Sequence, residues 1–217
     1  MQTGKEISGS GARESILRRI AQSRTRLHSK PATSVPLEAI FPAIGDPRQR
    51  FLRECASNLT EVFPSPDRAH SIQALEMILS TVPAGEVYVQ DDAALQPLIA
   101  VLRQWRPLRV SSQGAPAENT QASLTAAHAF VAQTGSILMS SACGGRGASI
   151  VPPCHIVFGR GEQIVGDTAA ALARVPTEIP EASYVGLITG SSRTADIEKI
   201  LVQGAHGPRR LVVILEG

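Results

Sequence analysis

Near its C-terminus the chain carries Gly190-Ser-Ser-Arg-Thr-Ala-Asp-Ile-Glu198, directly after the apolar run Tyr184-Val-Gly-Leu-Ile188. Hydroxyls and a guanidinium gathered at the end of a strand are anion-binding chemistry. Where such a strand feeds a helix, the helix N-terminus adds backbone N–H donors. Thr194 is placed to cap that helix, with Asp196 and Glu198 in its first turn, where carboxylates favour the helix dipole. Those residues need no ligand. Arg193 is different, because a cation at the positive end of a helix calls for an anion nearby, either a ligand or Asp196.

Two further segments carry donors. Cys143-Gly-Gly-Arg-Gly-Ala-Ser149 is glycine-rich but matches neither a Walker A motif nor a G-x-G-x-x-G that opens a helix. It reads as a connection whose backbone approaches a ligand closely, with Arg146 reaching a carboxylate or phosphate, or as a tight turn that needs positive φ. Gly204-Ala-His-Gly-Pro-Arg209 offers a helix stop, a turn, a histidine that titrates near neutrality and a second guanidinium. His206 reads as a turn residue able to transfer a proton, and Arg209 as a surface cation or charge clamp. Cys143 has no His–Asp pair in sequence to activate it. Cys55 and Cys154 lie on apolar patterns, His128 falls in an apolar stretch, and His155 opens a strand as a core histidine or a ligand contact.

These residues have to be held by a chain of 217 residues, 43% hydrophobic and 18% charged, enough for one sizeable core. A net charge of +2 and 4% aromatic residues argue against nucleic acid. No run approaches the ~18 apolar residues of a membrane span, and the polar start lacks the apolar stretch of a secretory signal, so the expected location is cytoplasmic. The three cysteines form no Cys-x-x-Cys pair or cluster, so no metal or iron–sulfur centre is expected in this chain.

The patterning predicts an α/β fold. Residues 1–11 read as a polar tail, and a helix follows from Ala12 to Leu27, with Ile16, Leu17 and Ile20 among arginines. The proline-bearing stretch 28–45 reads as a linker. Asp46-Pro47 starts a helix that carries Phe51, Cys55, Leu59, Val62 and Phe63 on one face, and Asp67 starts the next. Strands are predicted at 86–90, 108–111, 136–140, 155–158, 184–188 and 211–215. Helices are predicted at 93–105, 121–132, 162–174 and 194–203. That alternation implies βαβ units and an open, mostly parallel sheet flanked by helices.

Six segments then point further: Arg13-Glu-Ser-Ile-Leu-Arg-Arg-Ile-Ala21, Thr134-Gly-Ser-Ile-Leu138, Ser149-Ile-Val-Pro-Pro-Cys-His-Ile-Val157, Gln163-Ile-Val165, Ser192-Arg-Thr-Ala-Asp-Ile-Glu198 and His206-Gly-Pro-Arg209. In order and spacing they resemble the lactate utilization protein C family, the LUD domain, most densely from Ala126 to Leu215. The resemblance implies a tail and helix over 1–30 and a LUD-type α/β domain over 31–217. The implied fold is similar to the sugar-phosphate isomerase and CoA-transferase group (NagB/RpiA/CoA-transferase-like), with sites at strand C-termini.

It also implies an accessory part in bacterial oxidation of L-lactate to pyruvate, with iron–sulfur clusters in partner subunits and no cofactor in this chain. An independent enzyme acting on a phosphorylated or CoA-linked substrate, or a non-catalytic assembly module, are the alternatives. Two departures stand out: Gln133 where the family has Glu, and Ser191 where it tends to have Pro.

Together these readings give one expected cleft for a small anion such as lactate, pyruvate or a phosphate. It draws on Thr134, Gly135, Arg146, Ser149, His155, Ser192, Arg193, Thr194, Asp196, His206 and Arg209. Guanidiniums suit a 2-hydroxy or 2-keto acid, whose carboxylate takes a bidentate contact, and suit a phosphate equally. No residue is assigned a catalytic role.

Overall fold

The computed structural model describes residues 9–26, 44–195, 201–203 and 207–217. The chain divides into two compact units, Met1–Ala43 and Ile44–Gly217. The first holds α1 (Gly9–Arg26). The expected tail before Gly9, and the expected linker up to Ala43, lie outside the described residues.

In the second unit six strands form a wholly parallel sheet. They are β1 (Thr60–Ser65), β2 (Val87–Val89), β3 (Leu108–Val110), β4 (Ala122–Ala126), β7 (Cys154–Arg160) and β12 (Arg210–Glu216), in the order β1-β12-β7-β4-β2-β3. Alternation fixes its two faces. Leu124, Ile156, Phe158, Val212 and Ile214 point to one core, which they share with helices α3 (Arg68–Ser80) and α4 (Gln96–Trp105). Val157, Leu211, Val213 and Leu215 point to the other, shared with Phe51 and Cys55 of α2 (Pro47–Ser57).

That second core is closed by a four-stranded sheet, β8-β5-β6-β9. Its members are β5 (Ala129–Val131), β6 (Ser136–Ser140), β8 (Ile164–Val165) and β9 (Val185–Ile188). Here β6 pairs antiparallel with both β5 and β9. Short helices α5 (Thr168–Ala173) and α6 (Val175–Glu178) follow β8, and a small core of Ala129, Val131, Leu138 and Ala171 lies on the outer side of this sheet.

Asp46 and Asp67 cap their helices as predicted, each accepting from backbone N–H groups of the first turn. Four expectations are corrected. The helix from Asp46 ends at Ser57, and Leu59, at φ +62°, turns the chain into edge strand β1, where Pro64 is tolerated. The segment 121–132 is two strands, β4 and β5, rather than a helix. Leu124 faces the helices while Ser123 and Thr125 face the other way, a period of two that its alanine content disguised. The segment 162–174 is a single turn, then β8, then α5, which Asp167 caps. The predicted helix 194–203 is replaced by an antiparallel pair, β10 (Arg193–Ala195) with β11 (Leu201–Gln203). Its register sets Thr194 opposite Val202.

At the C-terminal ends of β1 and β12 the sheet is tied to α3. Arg68 grips Glu216 with two hydrogen bonds of 2.7 and 2.9 Å, and Ser71 donates a third to that carboxylate at 3.0 Å. Arg68 also stacks over Phe158, 4.8 Å from the ring centre. These contacts hold the Glu216 carboxyl below the usual carboxylate range, with the Arg68 hydrogen bonds the main cause.

Candidate functional site

A cleft of about 610 Å³ opens beside the end of β9. Its walls come from Thr189–Arg193, from Gly207 and Pro208, from Ser149, and from Ser57 and Asn58 at the end of α2. Asn58 and Pro208 lie two residues before the starts of β1 and β12. The cleft therefore sits at the N-terminal edge of the parallel sheet, not at the strand C-termini expected above. Because β10 is a strand, no helix N-terminus offers its N–H groups here; the helix end in the wall is the C-terminus of α2, and the donors are side chains.

Local backbone constraints build these walls. Gly190 has φ +74°, and a Cβ at this position would collide with the Asn58 carbonyl oxygen. Gly135 has φ +65°, and its Cβ would lie 2.9 Å from the Cys55 nitrogen, so the Thr134–Gly135 turn packs directly on α2. Asn58 Nδ2 donates to the Thr134 carbonyl at 3.3 Å, and Thr60 Oγ1 donates to Asn58 Oδ1 at 2.7 Å. The Ser192 N–H donates to the Pro208 carbonyl at 2.8 Å and joins two of the walls.

The lining is rich in donors. Ser57, Thr189, Ser191 and Ser192 supply hydroxyls, Ser149 spends its proton on the Arg146 carbonyl, Arg193 supplies a guanidinium, and no Asp or Glu lines the cleft among the described residues. Ser191 is only 7% exposed, and its Oγ has no hydrogen-bond partner among the described residues. A buried hydroxyl without a partner costs about 1–3 kcal/mol unless something arrives to satisfy it. Arg193 donates from Nη2 to the Asn58 carbonyl, which fixes one side of the guanidinium, and it makes no ion pair among the described residues. A hydroxyl chain reaches the cleft from below: Thr134 Oγ1 lies 2.7 Å from Ser136 Oγ, which lies 2.6 Å from Thr189 Oγ1.

The predicted residues are thus distributed. Ser149, Ser192 and Arg193 line the cleft, and Thr134 and Gly135 form a layer behind it. Arg146 lines a different cleft. Arg209 is exposed and is absent from the cleft lining. Its neighbour Arg210 holds Glu61 through two bonds of 2.6 and 2.7 Å. Asp196, His206 and the side chain of Thr194 lie outside the described residues.

His155 is fully buried on the β7 face shared with Ser123 and Thr125. Its Nε2 is 2.8 Å from Thr125 Oγ1, and Nδ1 has no partner. Burial pushes its pKa down to about 4, so the ring is neutral at physiological pH. Sequence reasoning missed Ser57, Asn58 and Thr189. They reach the site through the packing of α2 and β9, which no local spacing reveals.

Cys143 has a partner that the sequence did not show: His128 Nε2 lies 3.2 Å from its Sγ and 2.8 Å from Ser140 Oγ. Burial pushes the thiol up and the imidazole down, so the proton rests on sulfur and the pair is neutral. Cys55, Cys143 and Cys154 are all buried free thiols.

Against known proteins, the LUD domain matches residues 111–215. A lactate utilization protein C of Deinococcus radiodurans is 34% identical over 119 residues, covering 54% of this chain and 54% of that protein, so the match spans about half of each. A lactate utilization protein C of Bacillus velezensis is 26% identical over 229 residues, covering 93% and 94% of the two chains. Among solved structures, a DUF162 family protein from Deinococcus radiodurans superposes with a TM-score of 0.62 at 22% identity, covering 79% of this chain and 96% of that one, a likeness of fold. No helix among the described residues is long and apolar enough to cross a membrane. With the two-sheet architecture, the matched domain and relatives named lactate utilization protein C along nearly the whole chain, residues 111–215 of this protein form a LUD domain.

Proposed function

We propose that this protein acts in lactate utilization as an accessory subunit, binding a small 2-hydroxy or 2-keto carboxylate in the cleft beside β9. Partner proteins with iron–sulfur clusters carry the electrons, and this chain holds no cofactor of its own. The observation that carries the reading is the unpartnered buried hydroxyl of Ser191 in a cleft with a guanidinium and, among the described residues, no carboxylate. A carboxylate would accept from Ser191 Oγ and from the Arg193 guanidinium, and Thr189 or Ser192 would bond the neighbouring hydroxyl or carbonyl oxygen. For Thr189 to donate into the cleft, the chain behind it runs Thr134 to Ser136 to Thr189, and each bond strengthens the next. Relatives along nearly the full length bear the lactate utilization name, which supports the physiological setting.

Two measurements test this. Calorimetric titration of pyruvate and L-lactate into the full chain should show binding that Arg193→Ala weakens by about 1.5–3 kcal/mol, the worth of a charge-assisted hydrogen bond. Unchanged affinity would remove Arg193 from the site. The purified chain with L-lactate and an artificial electron acceptor should not turn over, and turnover without partners would overturn the accessory role.

A further inference from the structure

The Arg146 loop does not share the cleft beside β9. It forms a second cleft of about 390 Å³ with Tyr88 of β2, with Ser111 directly after β3, with the Gly114–Pro116 turn and with Ser141. This cleft is at the opposite edge of the parallel sheet, by the C-terminal end of β3. From β2 the chain steps outward to β3, whereas from β4 it steps the other way to β7 and β12. The direction of winding therefore reverses beside this cleft, and in open α/β sheets such reversals at strand C-termini are where crevices receive ligands.

The groups around it are set to donate. Ser111 Oγ accepts the Asp91 N–H at 2.9 Å and Ser141 Oγ accepts the Ser183 N–H at 2.9 Å, so each hydroxyl keeps its own proton to give. Three carbonyls of the 143–149 loop are already taken: Tyr88 Oη donates to Gly144 at 2.7 Å, Ser149 Oγ to Arg146 at 3.1 Å and Ser123 Oγ to Ala148 at 2.6 Å. The same bonds pin the loop that presents the Arg146 guanidinium, which makes no ion pair among the described residues. No carboxylate lines the cleft among the described residues. Of the two carboxylates on the segment that meets Ser111, Asp92 is occupied by Gln90 Nε2 at 3.1 Å and the Ala94 N–H at 2.8 Å, and the exposed Asp91 accepts from Gln96 Nε2 at 3.5 Å.

We infer that this cleft is a second, separate oxyanion site, taking the phosphate or carboxylate group of a small molecule through Arg146, Ser111 and Ser141. It is independent of the site beside β9, so either can fail alone. The experiment is an NMR titration of the full-length chain with inorganic phosphate and, separately, with pyruvate, following backbone amides. Saturable shifts at Gly144, Gly145 and Gly147 are expected, weakened about tenfold or more in Arg146→Gln and retained in Arg193→Gln. Stronger shifts with phosphate than with pyruvate would identify a phosphate-bearing ligand, and the reverse a carboxylate. Arg146 is exposed, so its replacement leaves the fold intact, and circular dichroism checks this. Absence of saturable shifts in the loop with both probes, or shifts undiminished in Arg146→Gln, would overturn the inference.

Discussion

At the scale of single residues, two buried polar atoms set testable consequences. His155 folds as a neutral imidazole at a pKa of about 4, whereas the unfolded chain protonates it near 6.5. The unfolded state therefore binds the extra proton between those values. The associated stability is complete above about pH 6.5 and is lost as pH falls toward about 4, by roughly 3 kcal/mol in all. Thermal melts across that window should show the decline, and His155→Asn should flatten it. A wild-type melting temperature that is level from pH 6.5 to 4 would contradict the assignment.

Ser191 makes the second case. Ser191→Ala removes an unpartnered hydroxyl, so it should leave stability unchanged or slightly raised while weakening pyruvate binding by about 0.5–1.5 kcal/mol. Ser192 and Arg193 were legible from sequence as donors after a strand. Asn58 and Thr189 were not, because their place depends on a helix end and a strand end that meet only in three dimensions.

At the scale of elements, the cleft depends on the junction between α2 and the turns at Gly135 and Gly190. Gly190→Ala combines a left-handed backbone with a collision against the Asn58 carbonyl. It should cost about 1–3 kcal/mol, a fall of roughly 2–10 °C in Tm for a domain of this size. An unchanged Tm would mean that the junction is looser than described. Arg68→Ala should cost on the order of 2–4 kcal/mol, since Glu216 would be left shielded without its cation. Guanidinium denaturation measures it.

Helix starts were legible because Asp46 and Asp67 are local signals. The strands at β4 and β10 were misread because alanine content and a capping-like Thr194 suggest helices that pairing with neighbouring strands overrides.

At the scale of the whole domain, two sheets share one core, and the two clefts lie at opposite edges of the parallel sheet. Sequence reading recognised the family and the parallel sheet. It merged the clefts into one because β6 and β9 read like any other strands, and only their antiparallel pairing reveals a second layer. The division moves Arg146 away from Arg193 and leaves the β9 cleft, among the described residues, with hydroxyls and one guanidinium. The most direct measurement is a crystal structure of the full chain soaked with pyruvate or L-lactate. The account predicts the carboxylate in the β9 cleft, within hydrogen-bond distance of Ser191 Oγ and the Arg193 guanidinium. Density for the ligand elsewhere, with that cleft holding only water and Ser191 still unpartnered, would contradict it.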